Sequence, residues 1–180
     1  MYYNERPSIL PAVDFKVRVR DDKIGGPNPY KWEDVSSYDL FASKKVVIFS
    51  LPGAFTPTCS TMQLPGFETN SNEFYDLGID DIYCVSVNDS FVMNKWAELQ
   101  GLHNIEVIPD GSGRFTEHMN MLVDKDNLGF GRRSWRYAVI ATNGRIDKWF
   151  VEPGMEDNCS TDPYGETSPE RILDWLRAYA

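Results

Sequence analysis

The chain has 180 residues, 42% of them hydrophobic, which suits one soluble domain able to bury about two-thirds or more of its unfolded surface. Its 18 Lys and Arg against 27 Asp and Glu give a net charge of −9. With no basic excess to neutralise phosphates, neither a nucleic acid nor an anionic membrane is expected as a partner. The apolar runs are too short to span a bilayer, and the start, Met1-Tyr-Tyr-Asn-Glu-Arg-Pro7, lacks the apolar core of a secretory signal, so a cytoplasmic protein is expected.

Taken in chain order, residues 21–31 form a turn-rich excursion, read as a surface loop beside an N-terminal hairpin. Val46-Val-Ile-Phe-Ser50 is a strand. It leads directly into Leu51-Pro-Gly-Ala-Phe-Thr-Pro-Thr-Cys-Ser60, which opens a helix near Pro57. Pro65 lies about two turns in and should kink that helix after Leu64. The second half, 66–77, stops at Gly78. Asp81–Val87 is a nearly continuous apolar run, as in a strand buried on both faces. Asp89 or Ser90 caps a helix at 90–100. A short strand at 105–108 and a short helix near 113–120 follow. Tyr137–Thr142 and Arg145–Val151 are joined by Asn143-Gly144, the preferred two-residue hairpin turn. A loop from Glu152 to Thr167 precedes a helix with Ser168 at the N-cap and Pro169 at the first helical position. Strand, helix, strand, helix, then hairpin and helix is the thioredoxin-like α/β arrangement: a central mixed sheet flanked by helices, here with an N-terminal extension. Reactive groups in such sheets gather at the carboxyl ends of strands.

There are three cysteines, Cys59, Cys84 and Cys159. An odd, sparse count is no disulfide framework. The two histidines, His103 and His118, show no ligand spacing with the cysteines, so no metal site is expected. No Cys-x-x-Cys pair exists. Cys59 stands apart because it falls where a strand hands over to a helix N-terminus. There the free N–H groups and the positive end of the helix dipole favour a thiolate, the reactive form of cysteine.

That dipole is insufficient alone. A free thiol has a pKa of ~8.5, and lowering it to ~6 requires roughly 3.4 kcal/mol. A helix N-terminus supplies ~0.3–1 kcal/mol, or ~2 in favourable cases. Thr56, one turn before the sulfur, can add a hydrogen bond. A cation must come from elsewhere, since residues 46–94 hold no Lys or Arg. The best source is Gly131-Arg-Arg-Ser-Trp-Arg-Tyr137. Arg136, at the start of a strand, would be fixed by the sheet. Arg132 and Arg133 sit in a glycine-flanked loop and are read as solvated.

Pro52-Gly-Ala-Phe-Thr56-Pro-Thr-Cys59 resembles the Pro-x-x-x-Thr-x-x-Cys signature of the peroxiredoxins. The internal Gly-Ala-Phe is that of the type II, or peroxiredoxin-five-like, subfamily. The resemblance continues through Leu64-Pro-Gly-Phe67, Val85-Ser-Val-Asn-Asp89, Phe91-Val-Met93, Pro109-Asp-Gly111, Leu128-Gly-Phe-Gly131 and Arg136-Tyr137, so it covers most of residues 40–152. It implies reduction of hydrogen peroxide and alkyl hydroperoxides, in antioxidant defence and redox homeostasis, by one domain over residues 1–180 with no fused glutaredoxin. Cys59 would be the peroxidatic nucleophile, Thr56 and Arg136 would bind the peroxide oxygens, and Pro52 would wall the pocket. No cofactor or metal is implied. The expected partners are the peroxide, a reductant (glutaredoxin with glutathione, or thioredoxin) and a second copy in a homodimer. Cys84 resembles the resolving position of plant members, and Cys159, with a one-residue offset, that of animal members. Cys84 reads as buried in a strand and Cys159 as exposed on a polar loop. The long segments 21–31 and 154–167 depart from the shortest members and have no assigned role.

Two other functions fit the same residues. A non-enzymatic peroxide sensor or chaperone would be oxidised at Cys59 without turnover. A thiol–disulfide oxidoreductase would reduce insulin, which the missing Cys-x-x-Cys opposes. His103 and His118 read as surface residues, and Trp96, Trp135, Trp149 and Trp175 as core or interface.

Overall fold

Residues 5–179 are described by a computed structural model. The N-terminal extension is the expected hairpin. Strands β1 (Asp14–Arg20) and β2 (Tyr30–Ser36) pair antiparallel, with Arg20 opposite Tyr30. A short helix, α1 (Ser37–Phe41), follows. Its capping box is reciprocal: Asp39 N–H donates to Ser36 Oγ at 3.0 Å, and Ser36 N–H donates to Asp39 Oδ2 at 3.1 Å.

The central sheet alternates with helices in chain order. Strand β3 (Lys45–Ser50) leads to helices α2 (Leu64–Thr69) and α3 (Ser71–Asp76). Strand β4 (Asp81–Ser86) leads to α4 (Ser90–Gln100), and β5 (Ile105–Pro109) to α5 (Arg114–His118). A small ribbon, β6 (Leu122–Asp124) with β7 (Arg132–Ser134), precedes the hairpin β8 (Tyr137–Thr142) and β9 (Arg145–Val151), and α6 (Pro169–Tyr179) closes the chain. The five-stranded sheet runs β5-β4-β3-β8-β9. Its β3–β4 and β4–β5 pairs are parallel, while β3–β8 and β8–β9 are antiparallel, so the sheet is mixed. The β8–β9 turn has Asn143 and Gly144 both at positive φ, as a two-residue hairpin turn requires.

Each face of the sheet carries its own core. Because side chains alternate along a strand, Val47, Phe49, Ile82, Cys84, Ala138 and Ile140 point to one face, under α2, α4 and α6. Val46, Ile48, Tyr83, Val85, Tyr137 and Val139 point to the other. On the first face Phe49 of β3 stacks on Phe67 of α2 with ring centroids 3.9 Å apart, and Phe67 stacks on Phe74 of α3 at 5.7 Å. Such aromatic pairs are each worth about 0.5–1.5 kcal/mol beyond their burial. They clamp the α2–α3 arm to the strand that delivers Cys59.

The kink expected at Pro65 takes a definite form. The helix begins at Pro57, but Cys59–Gln63 is wound as a π-helix, with Leu64 N–H donating to the Cys59 carbonyl. Pro65 has no N–H, and its ring presses on the carbonyl four residues back, that of Thr61. The wider turn just upstream gives the ring room. Regular α2 then continues to Asn70, where the arm breaks before α3.

Candidate active site

The segment from β3 to the helix is built as a bracket. Pro52, Gly53 and Ala54 are buried. Ala54 N–H donates to Asn88 Oδ1 at 3.0 Å, and Ser86 at the end of β4 donates its hydroxyl to the same oxygen at 2.6 Å. Phe55 is held at φ 67, a costly conformation for an aromatic residue, which persists because both sides of the loop are fixed. The bracket sets Cys59 at the first turn of the helix with its side chain fully buried.

Arg136, leaving β7 for β8, reaches across the sheet to that sulfur. Its Nη1 lies 3.4 Å from Cys59 Sγ and also donates to Gln63 Oε1. Its Nη2 donates to Asp162 Oδ1 at 2.7 Å, and its guanidinium carbon lies 5.6 Å from the centre of the Tyr164 ring. Arg136 is only 2% exposed. Burial works against its charge, but the Cys59 sulfur and the Asp162 carboxylate outweigh burial and hold it above its ordinary value. Its Nε is buried with no hydrogen-bond partner among the described residues, which leaves that donor uncommitted.

A buried polar chain backs this arrangement. Gln63 Nε2 donates to Thr167 Oγ1 at 3.4 Å, and that hydroxyl donates to Glu152 Oε2 at 3.1 Å. Glu152, 2% exposed, also accepts the backbone N–H groups of Gly165, Glu166 and Thr167. A carboxylate with this many donors is stable without a direct cation.

The sequence-predicted residues are therefore largely gathered, with three corrections. Thr56 does not hydrogen-bond the sulfur: its hydroxyl donates to the Gly53 carbonyl at 2.8 Å. A hydroxyl has one hydrogen, so once it is committed Thr56 offers the pocket an acceptor. Arg133 is not solvated. It is half-buried, its Nη1 donates to the Pro52 carbonyl at 3.3 Å and its Nε to the Phe130 carbonyl at 3.2 Å. Strand β7, unread in the sequence, turns it inward while Arg132 points out to Asp124. Burial lowers the Arg133 pKa. Cys159 is buried rather than exposed, its thiol 3.5 Å from Thr161 Oγ1. Loop contacts fold it under, because Asn127 Nδ2 donates to the Cys159 carbonyl at 3.3 Å.

Cys84 is buried in β4 as expected, on the Cys59 side of the sheet, whereas Cys159 belongs to the core on the other side. Burial pushes the Cys84 thiol well above 9.0, nearby Cys59 pushes the same way, and Arg136 opposes them. Gln63, Asp162, Tyr164 and Thr167 escaped sequence reading. Gln63, four residues after Cys59 and so on the same helical face, was the one with a spacing signal.

The chain is similar to known proteins over most of its length. Residues 30–163 match the Redoxin family. A peroxiredoxin of Rhizobium etli is 61% identical over 171 residues, covering 95% of this chain and 96% of that protein. The hybrid peroxiredoxin hyPrx5 of Haemophilus influenzae is 47% identical over 167 residues, covering 93% of this chain and 64% of that protein. Among solved structures, the antioxidant protein of Plasmodium falciparum, a 1-Cys peroxiredoxin, has a TM-score of 0.87 at 36% identity, covering 97% of this chain and 99% of that one. Likeness of this depth over nearly the whole chain makes it a member of the peroxiredoxin family, of the type II, peroxiredoxin-five-like kind, and so a thiol-dependent peroxidase.

Proposed function

We propose that Cys59 is the peroxidatic cysteine, reducing hydrogen peroxide and small alkyl hydroperoxides. The observation that carries this reading is the buried Arg136 guanidinium set 3.4 Å from a buried Cys59 sulfur at the carboxyl end of β3. The thiolate attacks one peroxide oxygen in line with the O–O bond. An S–O bond forms, the O–O bond breaks, and the leaving oxygen departs as water or an alcohol once it takes a proton. Cys59 is left as a sulfenic acid, oxidised by two electrons. Arg136, with its free Nε donor, stabilises the charge that grows on the peroxide oxygens. Thr56 accepts the hydrogen of the bound hydroperoxide. Pro52 and the bracket around it keep water from the sulfur.

The sulfenic acid then condenses with a thiol, releasing water and forming a disulfide. In our reading Cys84 supplies that thiol, because it shares Cys59's face of the sheet while Cys159 is on the other. Direct attack by glutathione, with reduction of the adduct by glutaredoxin, is the competing route. Both cysteines are buried in the reduced protein, and in this reading the first turn of the Cys59 helix unwinds to let the bond form. The π-wound segment at Cys59–Gln63 is the natural place for this.

The test is peroxide consumption with a glutathione–glutaredoxin or thioredoxin donor, for the parent and for Cys59→Ser. The parent turns over and the Ser variant does not, while its circular dichroism is unchanged. Equal turnover by both proteins would remove Cys59 from the reaction. Stoichiometric oxidation without turnover would favour a sensor instead.

A further inference from the structure

The loop after β9 does more than close the chain. It is pinned on both sides of Asp162. Upstream, Asp124 N–H donates to Asp157 Oδ1 at 2.8 Å, Asn158 N–H to the Asp124 carbonyl at 2.7 Å, and Asn127 N–H to Asn158 Oδ1 at 3.0 Å. Downstream, the Glu152 carboxylate holds the N–H groups of Gly165, Glu166 and Thr167. Between the pins Pro163 narrows the backbone further. The purpose served by so fixed a loop is visible at one atom pair, Asp162 Oδ1 and Arg136 Nη2, 2.7 Å apart.

That ion pair places a sulfur and a carboxylate on one cation. Arg136 meets the Cys59 sulfur with Nη1 and the Asp162 carboxylate with Nη2. Gln63, which shares Nη1, is neutral. Tyr164, on the same loop, is pushed up to about 12, first by burial and then by Glu170 of α6, so its ring is neutral at ordinary pH. Glu152 at the end of β9 and Cys84 in β4 also face the site, but Glu152 is consumed by its own donors and Cys84 stays protonated. Among the described residues Asp162 is the one carboxylate in contact with the guanidinium. A planar fork held at both ends cannot rotate away from the sulfur, yet its charge is divided.

We infer that Asp162 is a positioning residue of the peroxidase: it locks the Arg136 fork against Cys59, and by competing for the same positive charge it sets the pH range in which the sulfur reacts. This rests on the reading of Cys59 as the peroxidatic cysteine. Asp162 meets the guanidinium at Nη2 while the sulfur lies at Nη1, so its hold on the sulfur runs through Arg136.

The experiment measures second-order rate constants against pH for two reagents, hydrogen peroxide and iodoacetamide, in the parent, D162N, D162A and D162E. D162N keeps an acceptor for Nη2 and removes the competing charge. Its acid limb should move to lower pH with both reagents, by about half a unit to one unit. D162A removes the anchor as well, and its peroxide rate at the optimum should fall about tenfold. D162E restores the charge and should return the profile towards the parent's. A purely structural Asp162 would lower stability, read by urea unfolding, and leave every profile in place. A D162N profile that superimposes on the parent's, or D162N and D162A falling together without a shift, would overturn the inference. If the parent consumes no peroxide, the peroxidase reading fails, while the iodoacetamide profiles still report on the Asp162–Arg136 coupling.

Discussion

Replacing Arg136 by Met removes the charge and roughly keeps the volume, which isolates what the guanidinium does for the sulfur. Unit charges 3.4 Å apart attract by about 5 kcal/mol at an effective dielectric constant of about 20. This exceeds the ~0.3–2 kcal/mol that a helix N-terminus contributes, so the arginine and not the dipole dominates. Asp162 draws on the same charge from the other side, and roughly half, about 2–3 kcal/mol, is a working net value. At about 1.36 kcal/mol per tenfold, Arg136→Met should slow peroxide reduction by about 30- to 160-fold from this term alone. Loss of the contact to the peroxide oxygens adds to that.

Lys at the same position is the sharper control. Its compact ammonium restores charge but cannot reach the sulfur, Gln63 and Asp162 together, so it should recover only part of the rate. Met leaves Gln63 Oε1 buried without its donor, at a cost of about 1–3 kcal/mol in stability. Urea unfolding reads that cost separately. The rate assay is stopped-flow tryptophan fluorescence after mixing reduced protein with excess peroxide, with Trp96 donating to Ser60, next to Cys59, as the reporter. A peroxide rate constant within threefold of the parent's in Arg136→Met would refute the electrostatic argument.

Other consequences are open to measurement. A Cβ added at Gly53 would sit 2.5 Å from Arg133 Nη1, so Gly53→Ala should push that side chain off the Pro52 carbonyl and slow peroxide reduction only a few-fold. Combined with Arg133→Ala it should cost no more than either change alone, and additive losses would contradict this. Non-reducing peptide mapping after one equivalent of peroxide should show Cys59 joined to Cys84; full turnover by Cys84→Ser, with Cys59 bound to Cys159 or to glutathione, would reverse the choice of resolving thiol. The raised groups also set the alkaline limit of the fold. Burial raises Cys84 and Tyr137 above 9.0 and 10.0, so the unfolded chain loses these protons first as pH rises. Their stabilisation is complete below about pH 9 and then falls by about 1.4 kcal/mol per pH unit for each group, Cys84 first. Urea midpoints between pH 8 and 11 should decline, less steeply in Cys84→Ala, and a flat series would count against the burial argument.

What the sequence made legible follows from the range of the interactions involved. Strands β3 and β4, helix α4 with its Asp89 cap, and the Asn143-Gly144 hairpin are written in local periodicity and turn chemistry, and all appear where expected. Cys59 and Arg136 could be paired because a charge shortfall demanded a cation and the long stretch around Cys59 holds none. The misreadings share a different cause. Strand β7 is three residues long, too short for any period to show, and without it Arg133 looked like a solvated loop residue. The Thr56 hydroxyl was one hydrogen with two candidate acceptors, and only the turn of Gly53 decides between them. Cys159 and Asp162 lie in a segment of polar, turn-forming residues that reads as exposed. Its placement depends on Glu152, a charged side chain whose partners are backbone N–H groups of residues 165–167. Backbone donors carry no side-chain identity, so a carboxylate that organises a loop through them leaves no pattern of residue types to read. The loop that holds Arg136 in place is thus the part of the site that sequence alone could not assign.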